Sequence, residues 1–171
     1  FLETPSNPGL EIIDLPAVCD MAHKAGAQVV VDNVFATPVL QHPLELGADI
    51  VVYSATKHID GQGRVMGGAI LGTNEFMEVM SPFYRHTGPS MSPFNAWILA
   101  KGLETLKLRV AAHCKSAAEV ADHCWPVISA IPNSFQGPIH SNPWFHPILA
   151  LYRGFHNNYY FRRFSAKIVI F

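Results

Sequence analysis

The chain of 171 residues carries 12 lysines and arginines against 13 aspartates and glutamates, a formal net charge of −1. That balance excludes an electrostatic case for nucleic acid or an anionic membrane surface as partner. Hydrophobic residues make up 49% and charged residues only 15%, below the roughly 25% charged usual for a soluble domain, which suits a piece buried in a larger protein or an oligomer.

The cysteines, Cys19, Cys114 and Cys124, have no metal-ligand spacing and leave one unpaired, as expected of a reduced, cytoplasmic setting. The 9 histidines form no His-x-x-x-His or comparable cluster, so no metal is expected. No basic segment followed by an apolar one opens the chain, and no run of about 18 apolar residues is present. The chain begins Phe1-Leu2-Glu3-Thr4, without methionine, and reads as the end of a strand already under way. A fragment is the expectation.

In chain order, Phe1–Glu3 reads as a strand end. Thr4-Pro5-Ser6-Asn7-Pro8-Gly9 is loop, because its prolines and glycine deny it regular hydrogen bonding. Asp14 is placed to cap a helix with Pro16 in its first turn, Leu15, Val18, Ala22 and Ala25 at helical spacing, and Gly26 as its stop. Gln28–Asp32 is an apolar, β-branched strand. Asn33–His42 reads as loop. Pro43–Leu46 is a short helix closed by Gly47, and Asp49–Ser54 is a second strand. Runs apolar on both faces fit buried parallel strands joined by a right-handed crossover. Gly61, Gly63, Gly67 and Gly68 exclude a stable helix directly after Lys57. Ala69–Leu71 is a third strand candidate. Asn74 is placed to cap a helix over Glu75 to about Met80, and Arg85–Ser92 reads as loop. Helices are expected over Pro93 to about Leu99 and Leu103 to about His123. The second has Leu103, Leu106, Val110, Ala117 and Val120 along one side. From about Trp125, five prolines and crowded aromatics leave no readable period. Such aromatics also fit poorly with a disordered tail.

The chemistry concentrates where two strands end. Ligands of an open α/β sheet sit outside the carboxyl ends of its strands, and the ends here carry Asp32 and then Ser54-Ala55-Thr56-Lys57. A carbonyl-bearing cofactor needs an amine that can be neutral at working pH. Burial near a glycine-rich bend would lower the Lys57 pKa and favour Schiff-base formation. A pyridine ring is a strong electron sink only while its nitrogen keeps a proton, which a fixed carboxylate such as Asp32 ensures. Ser54 and Thr56 flank the lysine and can donate to a phosphate. Asn7, in a proline-framed loop at a neighbouring strand end, can donate to a substrate carboxylate or to the cofactor's phenolic oxygen. Together these groups describe a pyridoxal 5′-phosphate (PLP) site. Each residue also has a plainer reading, since Asp, Asn, Ser and Thr at strand ends commonly bond their own turns and a loop lysine is commonly solvated.

A dehydrogenase reading rests on Tyr53 and Lys57, spaced as Tyr-x-x-x-Lys. It requires both on one helix face. The β-branched run puts Tyr53 in a strand instead, and no Gly-x-Gly-x-x-Gly follows a strand upstream.

Glu3-Thr4-Pro5-Ser6-Asn7-Pro8, Val31-Asp32-Asn33, and Ser54-Ala55-Thr56-Lys57-His58 with Gly67-Gly68 resemble the Cys/Met-metabolism family of PLP enzymes. Gly88-Pro89, Gly102-Leu103, Thr105-Leu106 and Arg109 continue the match, which covers roughly Phe1 to His123. His58-Ile59-Asp60-Gly61-Gln62-Gly63-Arg64 looks like the family's O-succinylhomoserine sulfhydrylase branch.

The resemblance implies an α/β fold, part of the large domain of fold type I (aspartate-aminotransferase-like), with a mainly parallel sheet and flanking helices. Residues 1–123 would be the C-terminal half of that PLP-binding domain running into the linking helix, and 124–171 an unassigned, divergent or frame-shifted tail. Lys57 would be the Schiff-base lysine and move protons between substrate carbons. Asp32 would pair with the pyridinium nitrogen, Ser54 and Thr56 would bind phosphate, and Asn7 would face the substrate carboxylate. The implied reaction is γ-replacement on an O-acylhomoserine by a sulfur donor, sulfide or cysteine, in a cytoplasmic homotetramer built as a dimer of dimers. Cystathionine γ-synthase or γ-lyase activity, or an inactive fragment, are the alternatives. The glycine-rich phosphate loop and the ring-stacking tyrosine of the family are missing from this sequence, and no turnover by this chain alone is expected.

Overall fold

The computed structural model describes residues 1–130 and 167–170; the unassigned tail expected from 124 lies outside the described residues over 131–166. The described residues fall into two units. One is Phe1–Lys107 together with the last strand, and the other begins at Leu108.

The first unit is built on a five-stranded sheet in the order β1-β2-β3-β4-β5. Strands β1 (Leu2–Glu3), β2 (Val30–Asp32) and β3 (Ile50–Ser54) are parallel neighbours, with Val31 opposite both Leu2 and Val51. Strand β4 (Gly68–Gly72) runs antiparallel to β3, and β5 (Lys167–Ile170) antiparallel to β4. The sheet is thus mixed, its parallel part being the part that carries Asp32 and Ser54. Strand β5 comes from a stretch in which no periodicity is readable.

Helix α1 (Leu15–Lys24) starts as expected: the Asp14 carboxylate accepts the Ala17 N–H at 3.1 Å, with Pro16 in the first turn. Its buried stripe is Leu15 and Cys19, with Ala22 partly buried, and it packs on Val29, Val31 and Ala48. Ala25, expected on that stripe, lies past the helix end and is exposed. Within 33–42 there is one turn of helix, α2 (Thr37–Leu40), where loop was expected. Proline in a first helical turn removes no needed donor, so Pro38 is compatible with it. Pro43–Leu46 forms a 3-10 turn closed by Gly47 at φ 102°, a backbone region open to glycine at little cost.

Helix α3 (Asn74–Thr87) is capped by Thr73, whose hydroxyl accepts the Phe76 N–H, and not by Asn74. It runs through Pro82 to a left-handed cap at Gly88, past the expected end near Met80. The two helices expected at the end of the match are one, α4 (Pro93–Ala130), which continues through Gly102 and Pro126. Its buried residues include Leu99, Gly102, Leu106 and Val110, while Leu103, Ala117 and Val120 are exposed. The inward stripe is rotated because the Gly102 backbone lies against Ile59 and Asp60, where a Cβ would overlap the Ile59 carbonyl oxygen. Glycine here permits close approach and does not break the helix.

Ile98 and Leu99 pack with Val51, Tyr53, Ala55 and Ala69. Side chains alternate across a strand, so Val31 and Val51 belong to this covered face. Val30, Asp32, Val52 and Ser54 are only half-buried and alternate with the covered residues. No helix among the described residues is long and apolar enough to cross a membrane.

Candidate functional site

Two expected site residues come together at the carboxyl ends of neighbouring parallel strands. Asp32 ends β2 opposite Val52, and Ser54 ends β3 two residues further on. By the two-residue period of strand side chains, the Asp32 carboxyl and Ser54 hydroxyl leave the same, half-open face. Asp32 Oδ1 accepts the Val34 N–H at 3.0 Å, which fixes the carboxylate. Among the described residues its other oxygen accepts no hydrogen bond, and the Ser54 hydroxyl has no partner.

Directly after Ser54 the chain makes one wide π-helical turn, Ala55–Ile59, interrupted at Lys57 by non-helical backbone (φ −87°, ψ −109°). Below the turn, Ala55 and Ile59 are buried. Lys57 itself is exposed, contrary to the burial expected of it. The residues that follow, Gly61 to Arg64, are exposed too. Its amine has no ion-pair partner among the described residues.

Thr56 is engaged differently. Its hydroxyl accepts the Gly67 N–H at 3.0 Å and donates to the Gly67 carbonyl at 3.3 Å, tying the turn to the start of β4. A phosphate would have to compete for that donor. Asn7 is exposed in its loop, with its backbone N–H on the Glu3 carboxylate at 3.0 Å. Asp32 and Ser54 therefore share a face, Lys57 follows within three residues, Asn7 stands on the loop after β1, and Thr56 is bonded to backbone.

The turn is held from beneath by Asp60. This carboxylate is buried, accepts the Arg64 backbone N–H at 2.6 Å and Arg64 Nε at 2.9 Å, and also accepts the Gln62 N–H. Burial pushes its pKa up, but the hydrogen bonds from Arg64 and Gln62 and the guanidinium charge outweigh that and hold it below the ordinary value. The lock sets the glycine-rich bend after Lys57.

Sequence reasoning overlooked a buried amide network beside Asp32. Asn33 is fully buried, on the covered face with Val31. Its Nδ2 donates to the Tyr53 hydroxyl and the Gln41 carbonyl, both at 2.9 Å, and to the Thr37 carbonyl at 3.2 Å. Gln41 Nε2 donates back to Asn33 Oδ1 at 2.8 Å and to the Thr4 carbonyl at 3.0 Å. The signal was available: strand alternation puts Asn33 on the core side, and a buried amide needs partners. Burial raises the Tyr53 pKa, the Asn33 bond lowers it, and the Asp32 charge raises it, with a net rise. Tyr53 sits in β3 and Lys57 in the turn beyond it, so the two do not share a helix face. The geometry of the dehydrogenase reading is absent.

The donor set suits PLP: among the described residues, an amine with no ion-pair partner, a fixed carboxylate with one open oxygen and a hydroxyl without a partner, all at the carboxyl edge of parallel strands. Comparison with known proteins gives the same direction. A family model, Cys/Met metabolism PLP-dependent enzyme, matches residues 1–125. The chain belongs to this family.

Within the Cys/Met metabolism PLP-dependent family, the chain is 59% identical over 123 residues to O-succinylhomoserine sulfhydrylase of Mycobacterium tuberculosis, covering 71% of this chain and 30% of that relative. It is 46% identical over 125 residues to L-methionine gamma-lyase of Porphyromonas gingivalis, covering 71% of this chain and 31% of that one. The solved cystathionine gamma-lyase from Lactobacillus plantarum, complexed with L-serine, matches with a TM-score of 0.70 and 35% identity over 77% of this chain and 34% of that chain. The chain thus spans about a third of the length of the family members it matches. Its mixed sheet with flanking helices is part of the α/β fold of these PLP-dependent enzymes.

Proposed function

We propose that this chain holds PLP through Lys57 and supplies part of a site for γ-replacement on an O-acylhomoserine, with sulfide or cysteine as the sulfur donor, without turning over alone. The observation that carries the reading is the placement of Asp32 and Ser54 on one face, at adjacent parallel strand ends, with Lys57 three residues after Ser54 and, among the described residues, without an ion-pair partner. The sulfhydrylase branch is favoured by the 59% identity, against 46% to the methionine gamma-lyase. Residues 1–123 are read as the C-terminal half of the PLP-binding large domain. The oligomer is read as a cytoplasmic homotetramer.

When bound, PLP supplies an electron sink for negative charge at the substrate's α-carbon. Asp32 holds the proton on the ring nitrogen. The Ser54 hydroxyl donates to the phosphate, and Thr56 joins it on release from the Gly67 carbonyl. Lys57 Nζ would take the substrate's Cα proton, pass it on and then take a Cβ proton, so that the acyl group leaves Cγ as its carboxylate; once the sulfur nucleophile has added at Cγ, Lys57 would return protons to Cβ and Cα. Asn7 donates to the substrate carboxylate.

The test is a titration of the PLP-loaded chain with O-succinylhomoserine, methionine and cystathionine, read in the visible absorbance. A saturable change with O-succinylhomoserine at the lowest concentration supports the reading. A response to methionine or cystathionine at lower concentration overturns the substrate assignment.

A further inference from the structure

The groups assigned to cofactor and substrate stand on three separate segments: the loop after β1, the end of β2 and the end of β3. One buried network links all three. The Asn33 carboxamide reaches the Tyr53 hydroxyl, one residue before Ser54, and through Gln41 it reaches the Thr4 carbonyl, three residues before Asn7. The Asn33 backbone N–H continues the β2–β3 ladder to the Val52 carbonyl at 3.1 Å. Asp32 is its immediate neighbour.

A second observation shows that the network bears load. Thr37 is buried with φ 62°, a left-handed backbone that is unfavourable for a β-branched residue. Asn33 holds it from both ends: its carbonyl accepts the Thr37 N–H at 2.9 Å, and its Nδ2 donates to the Thr37 carbonyl. Strain of this kind persists only where the surroundings over-determine it. Here it turns the chain so that Gln41 points back to Thr4. Thr4, for its part, is fully buried and its hydroxyl accepts the Ile13 N–H at 2.9 Å.

We infer that Asn33 is a positioning residue, which through Gln41 and Tyr53 sets the Asp32 carboxylate and the Asn7 loop in register with the end of β3. The inference rests on the PLP reading above. Asn33 touches neither cofactor nor substrate in this account. An aspartate in its place keeps the shape and the acceptor but removes both donors, and sets a second carboxylate beside Asp32.

The experiment compares the unaltered chain with Asn33→Asp and with Gln41→Ala. Gln41 is only half-buried and its loss removes just the bonds to Asn33 and Thr4. PLP affinity, the pH midpoint of the visible band of bound PLP, and thermal unfolding are read for each. The expected result is a PLP dissociation constant about tenfold higher in both variants and a displaced pH midpoint in Gln41→Ala, whose fold is retained. A loss of thermal stability with affinity and pH midpoint unchanged in Gln41→Ala overturns the inference, because the network is then structural only. Failure of the unaltered chain itself to bind PLP overturns the PLP reading and this inference with it.

Discussion

Gly102 of α4 lies directly against the Ile59 carbonyl, at the end of the turn that carries Lys57. The helix backbone is therefore the floor of the lysine turn, and only a residue without Cβ fits. Gly102→Ala must push α4 and the turn apart. Overpacking of this kind costs about 1–3 kcal/mol, against which the better helix propensity of alanine returns about 1 kcal/mol. The expected outcome is a lower thermal midpoint together with weaker PLP binding. An unchanged midpoint and affinity would show that the floor yields freely.

The Asp60–Arg64 lock makes a pH prediction with a definite sign. The folded-state pKa of Asp60 lies below its ordinary 3.8. The stabilisation is therefore fully present above about pH 4 and disappears as the pH falls through the folded-state value. Asp60→Asn keeps one acceptor oxygen but loses the charge, and about 1–2 kcal/mol of stability near neutral pH should go with it. Urea unfolding at pH 7 and pH 3 checks this: the gap between the two proteins should be clear at pH 7 and narrow in acid.

Asp32 serves a turn and, on this account, a cofactor. Asp32→Asn retains an oxygen for the Val34 N–H, so unfolding should change by no more than about 0.5 kcal/mol. The loss of charge opposite the ring nitrogen should raise the PLP dissociation constant about tenfold or more. Equilibrium titration of PLP into both proteins decides it. Equal affinities would leave Asp32 as a turn former only.

Helix α1 offers a control remote from the site. Asp14→Ala removes the bond to the Ala17 N–H and should cost about 1 kcal/mol, with PLP affinity unaltered. A change in affinity would tie α1 to the site in a way its packing does not suggest.

Local signals carried much of this molecule. The β-branched runs before Asp32 and Ser54, the cap at Asp14 and the stop at Gly47 were readable because each depends on neighbours in sequence. The approach of α4 to Ile59 was not, so two helices were expected where one runs on through Gly102, which is a contact. The end of α3, expected near Met80, lies further on, where a left-handed cap at Gly88 sets it. At the site, residue types and their order pointed to Asp32, Ser54 and Lys57. The exposure of Lys57, the engagement of Thr56 with Gly67 and the Asn33 network depend on contacts between distant segments, which spacing alone does not reveal.

The most direct measurement is reduction of the chain with borohydride in the presence of PLP, followed by peptide mass mapping, with Lys57→Ala alongside. The account predicts a single pyridoxyl adduct on the peptide containing Lys57 and none in the variant. An adduct spread over surface lysines, or of equal yield in Lys57→Ala, would contradict it.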